Sequence, residues 1–255
     1  MSNITYDFGG HVALVTGAAR GMGAAVAKML AEAGACVFVS DIHGEGVRRV
    51  VEEIGVRGGR AVAVELDVRE YAAVANVVAR ILRDEGQLDI LVNNAGILRR
   101  RASVAEISDE EWDLVMAVNA KGVFNCSKAV LPSMKTRRRG KIVNISSTAG
   151  RSTSELGGAH YTASKAAVLG LTRHFAREAA PYNINVNAVC PALIDTPMIR
   201  ETTTPPELAR FIQAIPMGRL GQPEEEARLV LFLASSAASY INGATIDLTG
   251  ASLLI

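Results

Sequence analysis

A phenol and an ammonium stand four residues apart at Tyr161 and Lys165, in the stretch HYTASKAAVLG from His160 to Gly170. Ala163, Ala166, Ala167 and Leu169 favour helix there, and on a helix residues i and i+4 share one face. The pairing has a chemical use. A free tyrosine titrates near pH ~10, and bringing it to about 7 takes roughly 4 kcal/mol, part of which a nearby cation supplies by favouring the phenolate. Such a tyrosine exchanges a proton with an alcohol or ketone oxygen. The same spacing recurs on ordinary helices, where the tyrosine packs and the lysine is solvated, so the surrounding elements must decide.

The second chemical constellation is glycine-rich. His11 to Thr16 (HVALVT) reads as a buried parallel strand, followed by Gly17, Arg20, Gly21 and Gly23 and then a helix that stops at Gly34. Strand, glycine turn and helix form a dinucleotide-binding context, in which backbone approaches a pyrophosphate and the helix N-terminus offers free N–H groups. The next strand, Cys36 to Ser40, ends at Asp41, 18 residues beyond Gly23. A carboxylate there accepts hydrogen bonds from the adenosine ribose and repels a 2′-phosphate, which favours NAD over NADP. Arg20 pulls the other way, because a guanidinium pairs with that phosphate. Asp67 ends a third strand and either caps the next helix or reaches the adenine edge.

The elements that must position these groups alternate throughout. A helix over Ala72–Arg83 and a strand over Ile90–Val92 lead to Asn93, Asn94, Ala95 and Gly96, which suit close approach to a planar ligand and the fixing of neighbouring strands, with a simple turn as the alternative. Three arginines in Ile97–Ala102 are expected to be solvated, with recognition of an acidic substrate as the alternative. One long helix is expected over Glu110–Lys135, with Asn119 as an unfavourable residue inside it. Arg137 to Arg139 precede the amino end of the Lys141–Ile145 strand and are expected to be solvated. Ser146 and Ser147 follow that strand, and the Tyr161 helix runs on to about Tyr182. A sixth strand, INVNAVC, is broken by Pro191. Residues 193–216 have weak periodicity and four prolines, and this is where a flexible substrate lid belongs. A helix over Pro223–Leu233 and a strand over Ala244–Leu248 complete the chain. The alternation implies one doubly wound α/β domain over residues 1–255, a parallel sheet in a three-layer α/β/α sandwich of the Rossmann type.

Composition narrows the partner. Lys and Arg total 27 against 26 acidic residues, so no net field draws the chain to nucleic acid or an anionic membrane, and a small molecule is the expected partner. Three scattered cysteines without C-x-x-C imply reduced thiols and no metal site. No apolar run approaches the ~20 residues of a membrane span, and MSNITYDFGG lacks a leader's basic and apolar regions, which implies a soluble cytoplasmic protein.

With TGAARGMG (Thr16–Gly23), DV (Asp67–Val68), NNAG (Asn93–Gly96), NISS (Asn144–Ser147), YTASK (Tyr161–Lys165) and NAVCPALIDTPM (Asn187–Met198) in that order, the sequence resembles the short-chain dehydrogenase/reductase family over nearly its whole length. The resemblance implies Tyr161 as general acid/base, Lys165 as the residue that binds the nicotinamide ribose and lowers the tyrosine pKa, Ser147 on the substrate oxygen, and Asn119 as anchor of a proton-relay water. It adds Met22, Val68, Ala95, Pro191, Leu193, Ile194 and Thr196 to the cofactor contacts. It also implies a homotetramer joined through the Asn119 and Tyr161 helices. The expected activity is NAD(H)-dependent interconversion of a secondary alcohol and a ketone. The alternatives are a non-catalytic NAD(H)-binding regulator and a 3-oxoacyl thioester reductase using NADPH. The sequence departs from the family pattern in three places: Ser147 lies 14 residues before Tyr161 rather than the usual 13, Ala192 replaces a glycine, and LTGA ends the chain's last motif.

Overall fold

Buried parallel strands need apolar side chains on both faces, and the short β-branched runs supply them. In the computed structural model, which describes residues 5–101 and 103–254, these runs form β1 (Val12–Thr16), β2 (Cys36–Asp41), β3 (Arg60–Glu65), β4 (Ile90–Asn93), β5 (Gly140–Ile145), β6 (Ile184–Pro191) and β7 (Thr245–Leu248). All pair in parallel, in the order β3-β2-β1-β4-β5-β6-β7. The order reverses between β1 and β4, so the connections diverge there and open a crevice beyond the strands' carboxyl ends.

Successive strand residues face opposite layers. Ala13 and Val15 pack with α1 (Gly21–Glu32), α2 (Gly44–Val56) and α9 (Pro223–Ala234). Val12 and Leu14 pack instead with α3 (Tyr71–Glu85), α5 (Gly122–Arg137) and α6 (Gly158–Ala179). This is the three-layer, doubly wound domain expected from the alternation. Leu14 and Leu91, at the sheet centre, are fully buried; truncating either to alanine costs about 2–5 kcal/mol.

Four local expectations change. The long helix is α4 (Asp109–Met116), one π-helical turn over Ala117–Lys121, and then α5. The extra residue in that turn carries Asn119 inward, where it is fully buried rather than on a surface. Residues 193–216 are not featureless: they hold α7 (Pro197–Thr202) and α8 (Pro205–Ala214). Each begins on a proline, and Glu207 of α8 accepts the backbone N–H of Thr204 at 2.9 Å, an N-terminal cap that outweighs the weak periodicity. Arg137 is not solvated, because its Nη2 meets the buried Asp89 carboxylate at 2.6 Å, and Asp89 also accepts the Val12 backbone N–H at 2.9 Å. Arg100 and Arg101 are likewise engaged, by Glu207 and Glu111. Residues 1–4, where the stretch read for a leader begins, and Ala102, the end of the arginine segment, lie outside the described residues.

Candidate active site

The turn between β1 and α1 is built by backbone packed on backbone. Thr16 Oγ1 accepts the N–H groups of Asn94 and Ala95 at 3.1 Å each, and Asn94 Nδ2 donates to the carbonyls of Thr16 (3.0 Å) and Gly17 (2.8 Å). Asn94 therefore fastens the tips of β1 and β4, the strand-fixing role its position suggested. Gly17 has φ +65, and a Cβ there would stand 2.6 Å from Ala95 Cα. At Gly23 a Cβ would stand 2.5 Å from the Gly17 carbonyl, so neither glycine tolerates a side chain. The first turn of α1 carries no acidic residue and no side-chain cap, which leaves its N–H groups available to an anion.

Beyond this turn lies a cavity of about 600 Å³. It gathers most of the expected cofactor contacts: Gly17, Arg20, Gly21 and Met22 from the loop, Asp41, Asp67 and Val68 from the next strand ends, Asn94 to Gly96 after β4, and Thr196 before α7. The Asp41 carboxylate accepts the N–H groups of Ala19 (3.2 Å) and His43 (3.1 Å), which fixes it at the cavity wall. Asp67 caps no helix, since α3 starts after Glu70. It accepts the Arg69 backbone N–H at 2.9 Å and pairs with the Arg69 guanidinium, which holds its carboxyl below the usual range. Arg20 reaches across the cavity to α7, where its Nη1 and Nη2 meet the Glu201 carboxylate at 2.5 and 3.0 Å.

Of the four expected catalytic residues, Asn119 and Lys165 meet beside Gly96, the Tyr161 ring stands next to Lys165, and Ser147 hydrogen-bonds the Tyr161 phenol. A Cβ at Gly96 would lie 3.4 Å from both Asn119 Oδ1 and Lys165 Nζ. Asn119 accepts the Ile97 N–H at 2.8 Å and donates to the Ile97 carbonyl (2.9 Å) and to Ser164 Oγ (3.0 Å), so the π-helical turn joins the β4 loop to α6. Lys165 Nζ donates to the Ile145 carbonyl at 2.9 Å and stands 5.8 Å from the Tyr161 ring centre. Burial pulls the Lys165 ammonium down to about 8. The expected lowering of the Tyr161 phenol is not present: burial pushes it up, and the Ser147 side chain pulls it partly back. The difference arises because Lys165 is anchored on a backbone carbonyl 2.9 Å away, while the half-buried phenol is only partly solvated.

His160, directly before Tyr161, is fully buried. Its Nδ1 accepts the Tyr161 backbone N–H at 3.0 Å, and its Nε2 donates to Glu111 at 2.9 Å. Arg101 holds the other Glu111 oxygen, so α4, α6 and the β4 loop are clamped at the start of the Tyr161 helix.

Some expected contacts lie elsewhere. Gly23 sits behind the turn, Leu193 lines a separate cavity of about 70 Å³, and Ile194 is buried in a bridge to Gly221. Pro191 ends β6 next to the buried Cys190, outside the large cavity's wall. Sequence reasoning missed Glu201, Met198, Leu114 and Val118, which line the cavity from α7 and the α4–α5 helix. It also missed Glu226, which is fully buried on α9 and whose two carboxylate oxygens have no hydrogen-bond partner among the described residues. Burial pushes Glu226 up to about 8, and the Lys165 charge opposes that rise. A signal existed: Glu226 is four residues before Val230, on the apolar face of its helix. Among the described residues no cluster of three or more His, Cys, Asp or Glu suits a metal ion, and no helix is long and apolar enough to cross a membrane.

Comparison with known proteins gives this arrangement its family. A family model described as enoyl-(acyl carrier protein) reductase matches residues 17–250. A solved short-chain type dehydrogenase/reductase from Mycobacterium marinum superposes with a TM-score of 0.93 at 35% identity, covering 98% of each chain. The chain belongs to the short-chain dehydrogenase/reductase family. Among its curated relatives in that family are the 3-oxoacyl-[acyl-carrier-protein] reductase FabG of Thermotoga maritima, 42% identical over 94% of this chain and 97% of that one, and the acetoacetyl-CoA reductase of Rhizobium meliloti, also 42% identical over 94% and 97%. As a short-chain dehydrogenase/reductase the chain is an oxidoreductase that uses a nicotinamide cofactor, and the capless α1 terminus beside Gly17 and Gly23 fits the pyrophosphate of such a group.

Proposed function

We propose that this short-chain dehydrogenase/reductase reduces a 3-oxoacyl thioester to the 3-hydroxyacyl thioester, with NADH as the reductant. The observation that carries the reading is the Tyr161–Lys165 pair on α6, with Lys165 Nζ 5.8 Å from the Tyr161 ring centre and Ser147 hydrogen-bonded to the phenol. Reduction of a ketone consumes a proton at oxygen, and the phenol is the group placed to give it. The names of the two curated relatives support the substrate class over polyols or hydroxysteroids.

The nicotinamide, when bound, supplies the hydride to the ketone carbon. Tyr161 gives its proton to the ketone oxygen as the carbonyl π bond becomes a C–H and an O–H bond, and Ser147 Oγ donates a hydrogen bond to the same oxygen. Lys165, free to use its remaining N–H groups, holds the nicotinamide ribose. Asn119 keeps the β4 loop and α6 in register and anchors the path by which the phenolate is reprotonated. Asp41 receives the adenosine ribose hydroxyls, which supports NADH over NADPH. Residues 193–216, with α7 and α8, act as the lid that excludes water.

The test follows by absorbance the oxidation of NADH or NADPH by acetoacetyl-CoA and, in parallel, the reduction of NAD+ or NADP+ by a polyol and hydroxysteroid panel. The expected result is turnover of the thioester with NADH, lost in Tyr161→Phe while NADH binding persists. Turnover only with the panel alcohols and NAD+ returns the general alcohol dehydrogenase reading, and tight NADH binding without any turnover returns the regulator reading.

A further inference from the structure

Asp41 is one acid at the ribose end of the cavity, and α7 brings a second. Arg20 is the loop guanidinium that a 2′-phosphate would use, yet both of its terminal nitrogens are taken by Glu201, at 2.5 and 3.0 Å, from a segment 181 residues away. Asp41 also acts on Arg20 through its charge. Arg69, another guanidinium lining the cavity, is similarly committed to Asp67. The ribose end therefore presents two carboxylates around one already-paired cation.

We propose that Glu201 is a specificity-determining residue for the dinucleotide, which holds Arg20 away from a 2′-phosphate and so makes the site select NADH. This rests on the reading of the cavity as the dinucleotide site, with Asp41 at the adenosine ribose. Exposed ion pairs are individually weak, and the Arg20–Glu201 pair is more than half exposed. The pair therefore does not lock α7 shut. Its effect is on a ligand that needs Arg20: a phosphate of charge about −1.5 to −2 must displace Glu201 and then face that carboxylate unpaired. NADH, with ribose hydroxyls only, needs neither step. The selectivity thus comes from two acids on separate segments, and the one on α7 has no counterpart in the β2 position from which cofactor preference is ordinarily read.

The experiment is equilibrium binding of NADH and of NADPH, followed by nucleotide fluorescence, to the wild type, Glu201→Gln, Arg20→Ala and the double variant. Glu201→Gln is expected to tighten NADPH about tenfold and to leave NADH within about twofold, because one flanking charge is removed and Arg20 is freed. With Arg20→Ala already in place, the same substitution should tighten NADPH only about twofold, the residue of direct repulsion. An unchanged NADPH to NADH ratio in Glu201→Gln overturns the inference, as does a full gain without Arg20. A wild type that binds neither dinucleotide refutes the cavity reading itself, whereas NADH binding with an unmoved ratio refutes only the role of Glu201.

Discussion

Replacing Glu226 with leucine should stabilise the protein at neutral pH, by an amount that depends on pH in a defined way. The side chain is fully buried, and neither oxygen has a hydrogen-bond partner among the described residues. Its carboxyl titrates at about 8 in the folded state against 4.5 for the ordinary group. Between those values the folded state keeps a proton that the unfolded chain has released, so the wild type loses stability as pH rises from 4.5 to about 8 and levels off above it. The full difference amounts to about 5 kcal/mol, and relaxation of the buried site reduces it to about 2–3 kcal/mol. Denaturant unfolding of wild type, Glu226→Leu and Glu226→Gln across this range measures the effect. The advantage of leucine over the wild type should be smallest near pH 4.5 and reach its plateau by about 8, with glutamine gaining less because it keeps an unsatisfied polar group. A variant less stable than the wild type at pH 7.5, or a difference independent of pH, would refute the reasoning, since it would mean that the carboxylate is ionised and satisfied in the fold.

The remaining expectations concern the site and its frame. The rate of ketone reduction should fall above pH about 8 as Lys165 loses its proton, and this limb should move to lower pH in Glu226→Leu, where the carboxylate that raises the Lys165 pKa is gone; a pH profile of kcat checks both. Gly157→Ala places a Cβ 2.6 Å from Tyr161 Cγ, so it should displace the ring and lower kcat about a hundredfold with NADH binding retained. Arg137→Ala leaves the buried Asp89 without its closest ion-pair partner and should cost about 2–3 kcal/mol in denaturant unfolding with kcat unchanged, since the pair lies at the amino edge of the sheet.

Much of the frame was legible because it depends on short-range rules. The apolar runs from Val12 and Ile90 announce buried strands, and Gly17, Gly21 and Gly23 announce a glycine turn, in which Gly17 and Gly23 leave no room for a side chain. The Tyr161–Lys165 spacing puts both groups on one helical face, and the ammonium stands 5.8 Å from the ring centre. Other features were written locally but overlooked. Thr204-Pro-Pro-Glu207 is a helix start inside a segment read as irregular, and Glu226 lies on an apolar face whose period was visible.

The sequence by itself determined the order of strands and helices, the glycine turn and which side chains are candidates for the site, because backbone propensity and side-chain period act over a few residues. Only the tertiary structure decided what those side chains are worth chemically. Arg20 is paired by Glu201, Asp89 is clamped by Arg137, and Asn119 is turned inward by one π-helical turn. The proton affinities of Tyr161, Lys165 and Glu226 likewise belong to the fold. Each depends on how much water is excluded and which charge arrives from a distant segment, and neither quantity exists until the layers have packed.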